Sequence, residues 1–143
     1  MLFGTSVRAI VDTNILISGL LSKAGAPGKI VDAIVAGRIT AVFSSETLAE
    51  LRDVLTRPRL QPYLTRAKVD PVAFLVRLEQ IAEVVEPVDC PFPIRDPKDR
   101  PFLALAATPP EPGILVTGDK DFTAGRYGEV PVVTAADLAR TLG

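Results

Sequence analysis

Four acidic side chains are spaced along the chain so that one fold could bring them together. Asp12 directly follows the β-branched run VRAIV, and Asp119 follows the apolar run ILVT by a single glycine. Glu50 lies inside a segment with the leucine spacing of a helix, and Asp99 precedes the apolar segment PFLALAA. Because an open parallel sheet binds ligands beyond the carboxyl ends of its strands, we expect these four carboxylates to meet at one edge.

A pocket that holds four carboxylates needs a cation. Two carboxylates about 5 Å apart repel by roughly 3 kcal/mol at an effective dielectric constant of about 20. The chain has no histidine and no cluster of thiols, so its ligands would be oxygen atoms, and such a site favours Mg²⁺ or Mn²⁺. A pair of these ions is suited to phosphodiester hydrolysis, in which one activates water and the other stabilises the leaving oxygen.

Each acid taken alone also has an ordinary structural explanation. Asp12 and Asp99 are explained equally well as helix caps, and Asp119 with Asp121 as turn residues. Glu50 alone is most simply a solvated helix residue, although capping does not explain it because it lies well inside its segment. The metal hypothesis therefore depends on the four acids acting together.

The composition excludes several function classes. Without histidine, Ser-His-Asp and Cys-His mechanisms and most zinc sites are impossible. With 16 basic and 17 acidic residues the net charge is −1, so the chain has no broad basic face that would bind nucleic acid by charge alone. A phospho-acceptor or phosphatase domain is disfavoured, because Asn14 stands where such phosphatases need a second aspartate and no glycine-rich phosphate loop is present.

The length and the distribution of apolar residues indicate one cytoplasmic domain over residues 1–143. Cys90 is the single cysteine, which excludes an intramolecular disulfide and fits a reducing compartment. The N-terminus lacks the pattern of a signal peptide. The run ILISGLL is far shorter than the roughly 20 residues that span a bilayer.

Strands and helices alternate in the predicted secondary structure. We predict strands at 7–11, 39–43, 82–87, 114–117 and 130–134, and helices at 15–22, 29–36, 72–81, 101–107 and 134–142. A further helix begins at Ser44 or Ser45, buries Leu48, Leu51 and Leu55, and is ended by Pro58. This order predicts a single-domain three-layer α/β/α sandwich with a central, mostly parallel five-stranded sheet.

Four blocks of the sequence resemble the PIN-domain family in their order and approximate spacing. They are VDTNILIS, ETLAEL, RDPKDRPFLALA and VTGDKDF. The chain is most similar to the bacterial and archaeal PIN proteins classed as toxins of toxin–antitoxin pairs, and the resemblance covers nearly the whole chain. It implies a metal-dependent ribonuclease specific for single-stranded RNA, with a cognate antitoxin as partner. We also expect a homodimer, since the helix with Phe74, Leu75 and Leu78 offers either a dimer face or an antitoxin groove if it is not core.

The resemblance implies roles for individual residues. Asp12, Glu50, Asp99 and Asp119 match the four acids that bind the metal ions, and Asn14, Thr117 and Asp121 match polar positions that support them. Arg100 and Pro101 depart from the family pattern, and an arginine beside the third acid would either weaken a second metal site or hold an RNA phosphate. A catalytically degenerate PIN module that binds RNA or a protein without cleavage is therefore the alternative function.

Basic residues near these blocks are candidates for RNA contacts. Arg57 and Arg59 follow the helix that carries Glu50, and Lys120 lies between two of the acids. Arg57 and Arg59, together with Arg66 and Lys68, would form a phosphate-binding rim beside the metal site, and Lys120 would contact a scissile phosphate. Solvated charges at helix ends are the ordinary alternative.

Overall fold

The computed structural model describes residues 7–118 and 125–142, in which strands and helices alternate as predicted. The strands are β1 Val7–Val11, β2 Ile39–Phe43, β3 Glu83–Val84, β4 Ile114–Val116, β5 Arg126–Tyr127 and β6 Val130–Val133. The helices are α1 Thr13–Leu21, α2 Ala26–Val35, α3 Ser45–Leu55, α4 Gln61–Arg66, α5 Pro71–Ile81, α6 Arg100–Ala106 and α7 Ala135–Leu142. Short 3₁₀ turns precede α4 at Pro58–Leu60 and α6 at Pro97–Asp99.

The strands of the described ranges form one mostly parallel sheet in the order β3-β2-β1-β4-β6-β5. The prediction of five strands was one too few, because the short strand β5 pairs antiparallel with β6 at the edge of the sheet. The turn between these two strands contains Gly128 at φ +60°, a conformation that glycine adopts without steric cost. The third strand is also shorter than predicted, since only Glu83–Val84 pairs with β2.

Helices cover both faces of the sheet, which confirms the predicted α/β/α architecture. Ala9 and Val11 of β1 pack in a core cluster with α1, α2, α3, α5 and α7. Ile10, between them, faces the other side and packs with α6. Because the central strands are buried on both faces, their sequences are almost continuously apolar. None of the described helices is long and apolar enough to cross a membrane.

Helices α1 and α2 approach each other closely at Gly19. A Cβ atom there would lie 2.4 Å from the carbonyl oxygen of Pro27 and 2.6 Å from Cγ2 of Val31. Helix α2 begins at Ala26, before the predicted start at Lys29, because proline is well suited to the first turn of a helix. Part of the predicted loop is therefore helical, and the α1–α2 contact requires a residue without a side chain.

Arg8, near the start of β1, links three segments of the chain. Its Nε and Nη2 donate to the two carboxylate oxygens of Glu83 at 2.7 and 2.8 Å, and its Nη1 donates to the carbonyl oxygen of Pro110 at 2.7 Å. The hydrogen bond from Arg8 is the largest influence that lowers the pKa of Glu83 below its ordinary value. This ion pair holds the edge strand β3 against the centre of the sheet, at the end remote from Asp12.

Candidate functional site

The carboxyl ends of β1 and β4 lie side by side. Val11 pairs with Val116 in parallel register, so the residues that follow, Asp12 and Thr117, are neighbours. The Thr117 hydroxyl donates to Oδ2 of Asp12 at 3.0 Å, and the Asp12 backbone N–H donates to the carbonyl oxygen of Val116 at 3.0 Å. Strand pairing therefore fixes the position of Asp12 at the edge of the sheet.

Asp12 is also the N-cap of α1. Its Oδ1 accepts a hydrogen bond of 3.1 Å from the backbone N–H of Asn14. Asp12 is therefore a helix cap, as its simplest explanation predicted. An ionised carboxylate has about four lone-pair sites, which is more than the cap and the Thr117 hydroxyl use. The capping role is therefore compatible with metal ligation. The Asn14 side chain is exposed beside it.

Helix α3 brings Glu50 to the start of α1. Ser44 follows β2 directly and forms a reciprocal cap with Thr47, which fixes where α3 begins. Glu50 is half-buried, and its Oε2 accepts a hydrogen bond of 2.6 Å from the hydroxyl of Thr13. Thr13 is only 7% exposed and directly follows Asp12. Two of the four candidate acids are therefore held at the same helix N-terminus.

The third candidate, Asp99, lies in the 3₁₀ turn before α6 and is half-buried. A cavity of about 200 Å³ separates this turn from α3. Glu46 and Glu50 line it on the α3 side, and Lys98 and Pro101, on either side of Asp99, line it from the other. Glu50 and the segment that carries Asp99 thus border the same space.

The described residues cover only part of the predicted metal site. Within residues 7–118 and 125–142, no three acidic, cysteine or histidine side chains lie close enough together to hold a metal ion. Asp119, Lys120 and Asp121 lie outside the described residues, so the fourth acid is not placed. The donor chemistry at Asp12 and Glu50 nevertheless fits Mg²⁺ or Mn²⁺, since both are carboxylates oriented by hydrogen-bond donors that neighbouring residues supply.

Of the basic candidates that the structure describes, Arg57 and Arg59 line a common cavity that Arg100 does not line. Arg100 is exposed at the start of α6 and forms no ion pair with any residue that the structure describes. Arg57 pairs with Asp53 at 2.9 Å. Arg57 and Arg59 both line a separate cavity of about 660 Å³ beyond the end of α3.

Thr13 and Lys98 were not among the site residues predicted from the sequence. Thr13 stands between Asp12 and Asn14. Its position next to a proposed ligand was the one sign in the sequence that it could belong to the site. Lys98 stands before Asp99 in the block RDPKD and lines the cavity next to Glu50.

A model of the PIN domain matches residues 8–121, a range that contains all four candidate acids. The chain belongs to the PIN-domain family. An uncharacterized protein of Methanocaldococcus jannaschii, MJ1680, is 30% identical over 115 residues, which are 80% of this PIN chain and 72% of the relative. PIN domains are generally nucleases and typically use divalent metal ions. The name of the relative states no activity, so a nuclease-type fold is what these similarities establish.

Proposed function

We propose that this PIN protein is a metal-dependent endoribonuclease that hydrolyses phosphodiester bonds of single-stranded RNA. The observation that carries the proposal is the pair of hydrogen bonds from Thr117 to Asp12 and from Thr13 to Glu50. An acid that served only as a helix cap or as a solvated helix residue would not need a buried hydroxyl donor. Asp12 and Glu50 each have one, since Thr117 is 4% exposed and Thr13 is 7% exposed.

The residues that would hold one or two Mg²⁺ or Mn²⁺ ions are Asp12, Glu50, Asp99 and Asp119. When bound, the ions supply positive charge beside the scissile phosphate and lower the pKa of a water molecule. The chain itself orients the ligands, since Thr117 and the N–H of Asn14 each hold one oxygen of Asp12.

Other residues of the proposed site act around these ligands. Thr13 holds Glu50 in the same way that Thr117 holds Asp12. The exposed side chain of Asn14 and the carboxylate of Asp121 support the metal ligands. Arg100 and Lys120 contact phosphates of the RNA.

The proposed biological role is that of the toxin of a toxin–antitoxin pair, acting in the cytoplasm. The resemblance of the chain to toxin-type PIN proteins supports the role of a toxin. The lone thiol of Cys90 is compatible with a reducing compartment such as the cytoplasm. The cognate antitoxin and a second copy of the chain are the proposed protein partners.

Cleavage of a single-stranded RNA in Mg²⁺ or Mn²⁺, in EDTA and by the Asp12→Asn variant tests the activity. Asparagine caps helices about as well as aspartate, so Asp12→Asn should keep the fold and lose the ligand charge. We expect EDTA and Asp12→Asn each to abolish cleavage, and the matched change Asp32→Asn, at an exposed position of α2, to leave it intact. Cleavage that survives both treatments would end the proposal.

A second candidate is a PIN module that binds RNA or a protein without cleavage, which Arg100 beside Asp99 favours. Metal titration separates the two, because a ligand that binds the folded state raises its melting temperature. An intact site should stabilise wild type at millimolar Mg²⁺ more than it stabilises Asp12→Asn. If neither stabilisation nor cleavage is observed, the non-catalytic function is supported.

A further inference from the structure

The segment between the end of α3 and the start of α5 is locally basic. Residues 54–69 carry four basic side chains and no acidic one, in a chain of net charge −1. The four are Arg57, Arg59, Arg66 and Lys68, and all are exposed. Arg57 is paired with Asp53, whereas Arg59 and Arg66 form no ion pair within the described ranges. This segment therefore offers unneutralised positive charge to an anionic ligand.

The same segment forms a groove around an exposed aromatic ring. The cavity of about 660 Å³ is lined by Val54, Arg57, Pro58, Arg59, Leu60 and Tyr63, a volume within the usual range of small-ligand sites. The Tyr63 residue is 54% exposed, and the guanidinium of Arg66 lies 5.0 Å from its ring centroid. We call these six lining residues the Tyr63 groove.

The Tyr63 groove begins about one helical turn from the candidate metal site. Val54 follows Glu50 by four residues on the same face of α3, a rise of about 6 Å along the helix axis. Helix α1 connects the two regions as well, because it starts at Thr13 and ends at Leu21, which lines a small cavity with Tyr63 and Arg66. Thr13 and Leu21 are eight residues apart, a rise of about 12 Å along the α1 axis, so Tyr63 lies roughly two helical turns from the candidate metal site, where a flanking nucleotide could reach it.

We propose that the Tyr63 groove binds a nucleotide of single-stranded RNA that flanks the cleavage position, with its base stacked on Tyr63 and its phosphate at Arg59. This subsite rests on the proposed ribonuclease function. Proteins that bind single strands combine a basic groove with aromatic rings on which bases stack. Bases in duplex RNA are stacked on one another and cannot reach the ring, so the groove accounts for a preference for single strands. An acidic peptide would use the arginines but would gain little from the exposed aromatic ring.

Tyrosine fluorescence gives a direct test, because the chain has no tryptophan and two tyrosines. The second, Tyr127, is buried at 9% exposure. Titration with an unlabelled RNA of about 12 nucleotides, in EDTA so that no cleavage occurs, should quench the emission of wild type. Tyr63→Phe should lose the quenching but keep the affinity, since phenylalanine still stacks. Tyr63→Ala should weaken binding roughly 5- to 150-fold, the loss of one base–aromatic stack.

Fluorescence anisotropy with a labelled copy of the same RNA tests the phosphate contact. Arg59→Gln should reduce the slope of log Kd against log salt by about 0.7, the value for one phosphate contact to a single strand. The matched control is Arg77→Gln, at an exposed position of α5 outside the groove, which should leave the slope unchanged. A duplex of the same sequence should bind more weakly than the single strand.

Three results would overturn the subsite. They are unchanged affinity in Tyr63→Ala, equal affinity for duplex and single strand, and binding of a glutamate-rich peptide as tight as that of RNA. Binding in EDTA is measured without cleavage, so the Tyr63→Ala titration tests the subsite whether or not the protein cuts RNA. Tyr63-dependent binding by a wild-type protein that cuts no RNA would reject the nuclease function and leave the nucleotide site in place.

Discussion

Replacing Thr13 by valine removes the hydroxyl that donates to Glu50 at 2.6 Å and keeps the shape of the side chain. A hydrogen bond to a charged group contributes roughly 1.5–3 kcal/mol when its partner is buried. Thr13 is buried, but water reaches the half-buried Glu50 and replaces part of the lost bond. We therefore expect Thr13→Val to reduce the free energy of unfolding by about 1.5 kcal/mol, the lower end of that range, and so to lower the melting temperature of a domain of this size by roughly 3–6 °C.

A double-mutant cycle isolates this bond from the other effects of each substitution. The free energy of unfolding is measured by urea denaturation in EDTA for wild type, Thr13→Val, Glu50→Ala and the double variant. We expect a coupling energy of about 1 kcal/mol or more and recovery of most of the stability in Thr13→Ser. A coupling energy indistinguishable from zero would show that Thr13 does not hold Glu50.

The same variants test whether the bond matters for metal binding. Substituting a residue that orients a metal ligand typically weakens affinity about 10- to 100-fold. Thr13→Val should therefore raise the Kd for Mn²⁺ by at least about tenfold, and Thr13→Ser should not. Loss of stability with unchanged Mn²⁺ affinity would mean that Glu50 is a structural residue and not a ligand.

Two further predictions concern stability. Arg8 lowers the pKa of Glu83 below its ordinary value of 4.5, so their ion pair stabilises the fold above that pH and the contribution is lost as the pH falls through the lowered pKa. Because the Glu83 side chain is 38% exposed, we expect Arg8→Met to cost only about 1 kcal/mol at pH 7, and urea denaturation should show the stability difference from wild type narrowing as the pH falls below the ordinary pKa of Glu83; a constant difference would contradict this. Gly19→Ala should destabilise by roughly 1–3 kcal/mol despite the better helix propensity of alanine, because its Cβ would lie 2.4 Å from a backbone oxygen of Pro27. Gly125→Ala, whose added Cβ would meet no atom of the described residues within 4 Å beyond its chain neighbours, is the control, and equal melting temperatures for the two variants would refute the steric argument.

The central strands were predictable because strands that are buried on both faces of a sheet have almost continuously apolar sequences. The runs 7–11 and 39–43 are almost wholly apolar and form β1 and β2 with those bounds. The short edge strands were not predictable in the same way. β5 has two residues and depends on the turn at Gly128 and on pairing with β6, which no local pattern encodes.

For Asp12 and Glu50 the sequence predicted a common location but not the contacts that hold them there. Asp12 and Glu50 were identified from their places relative to a strand and a leucine stripe, and the structure brings both to the start of α1. Their hydroxyl partners depend on tertiary geometry. Thr117 was expected to support the site, but the partner of Glu50, Thr13, became evident only from the placement of α3 against α1.

The hydrogen bond between Thr117 and Asp12 joins residues 105 positions apart. During synthesis the N-terminal part of a chain is released first, so Asp12 and Glu50 leave the ribosome long before Thr117 is added. The link can form only after Thr117 has been translated. A message broken upstream of codon 117 therefore yields a fragment without this contact, and the site cannot be assembled before that codon is translated.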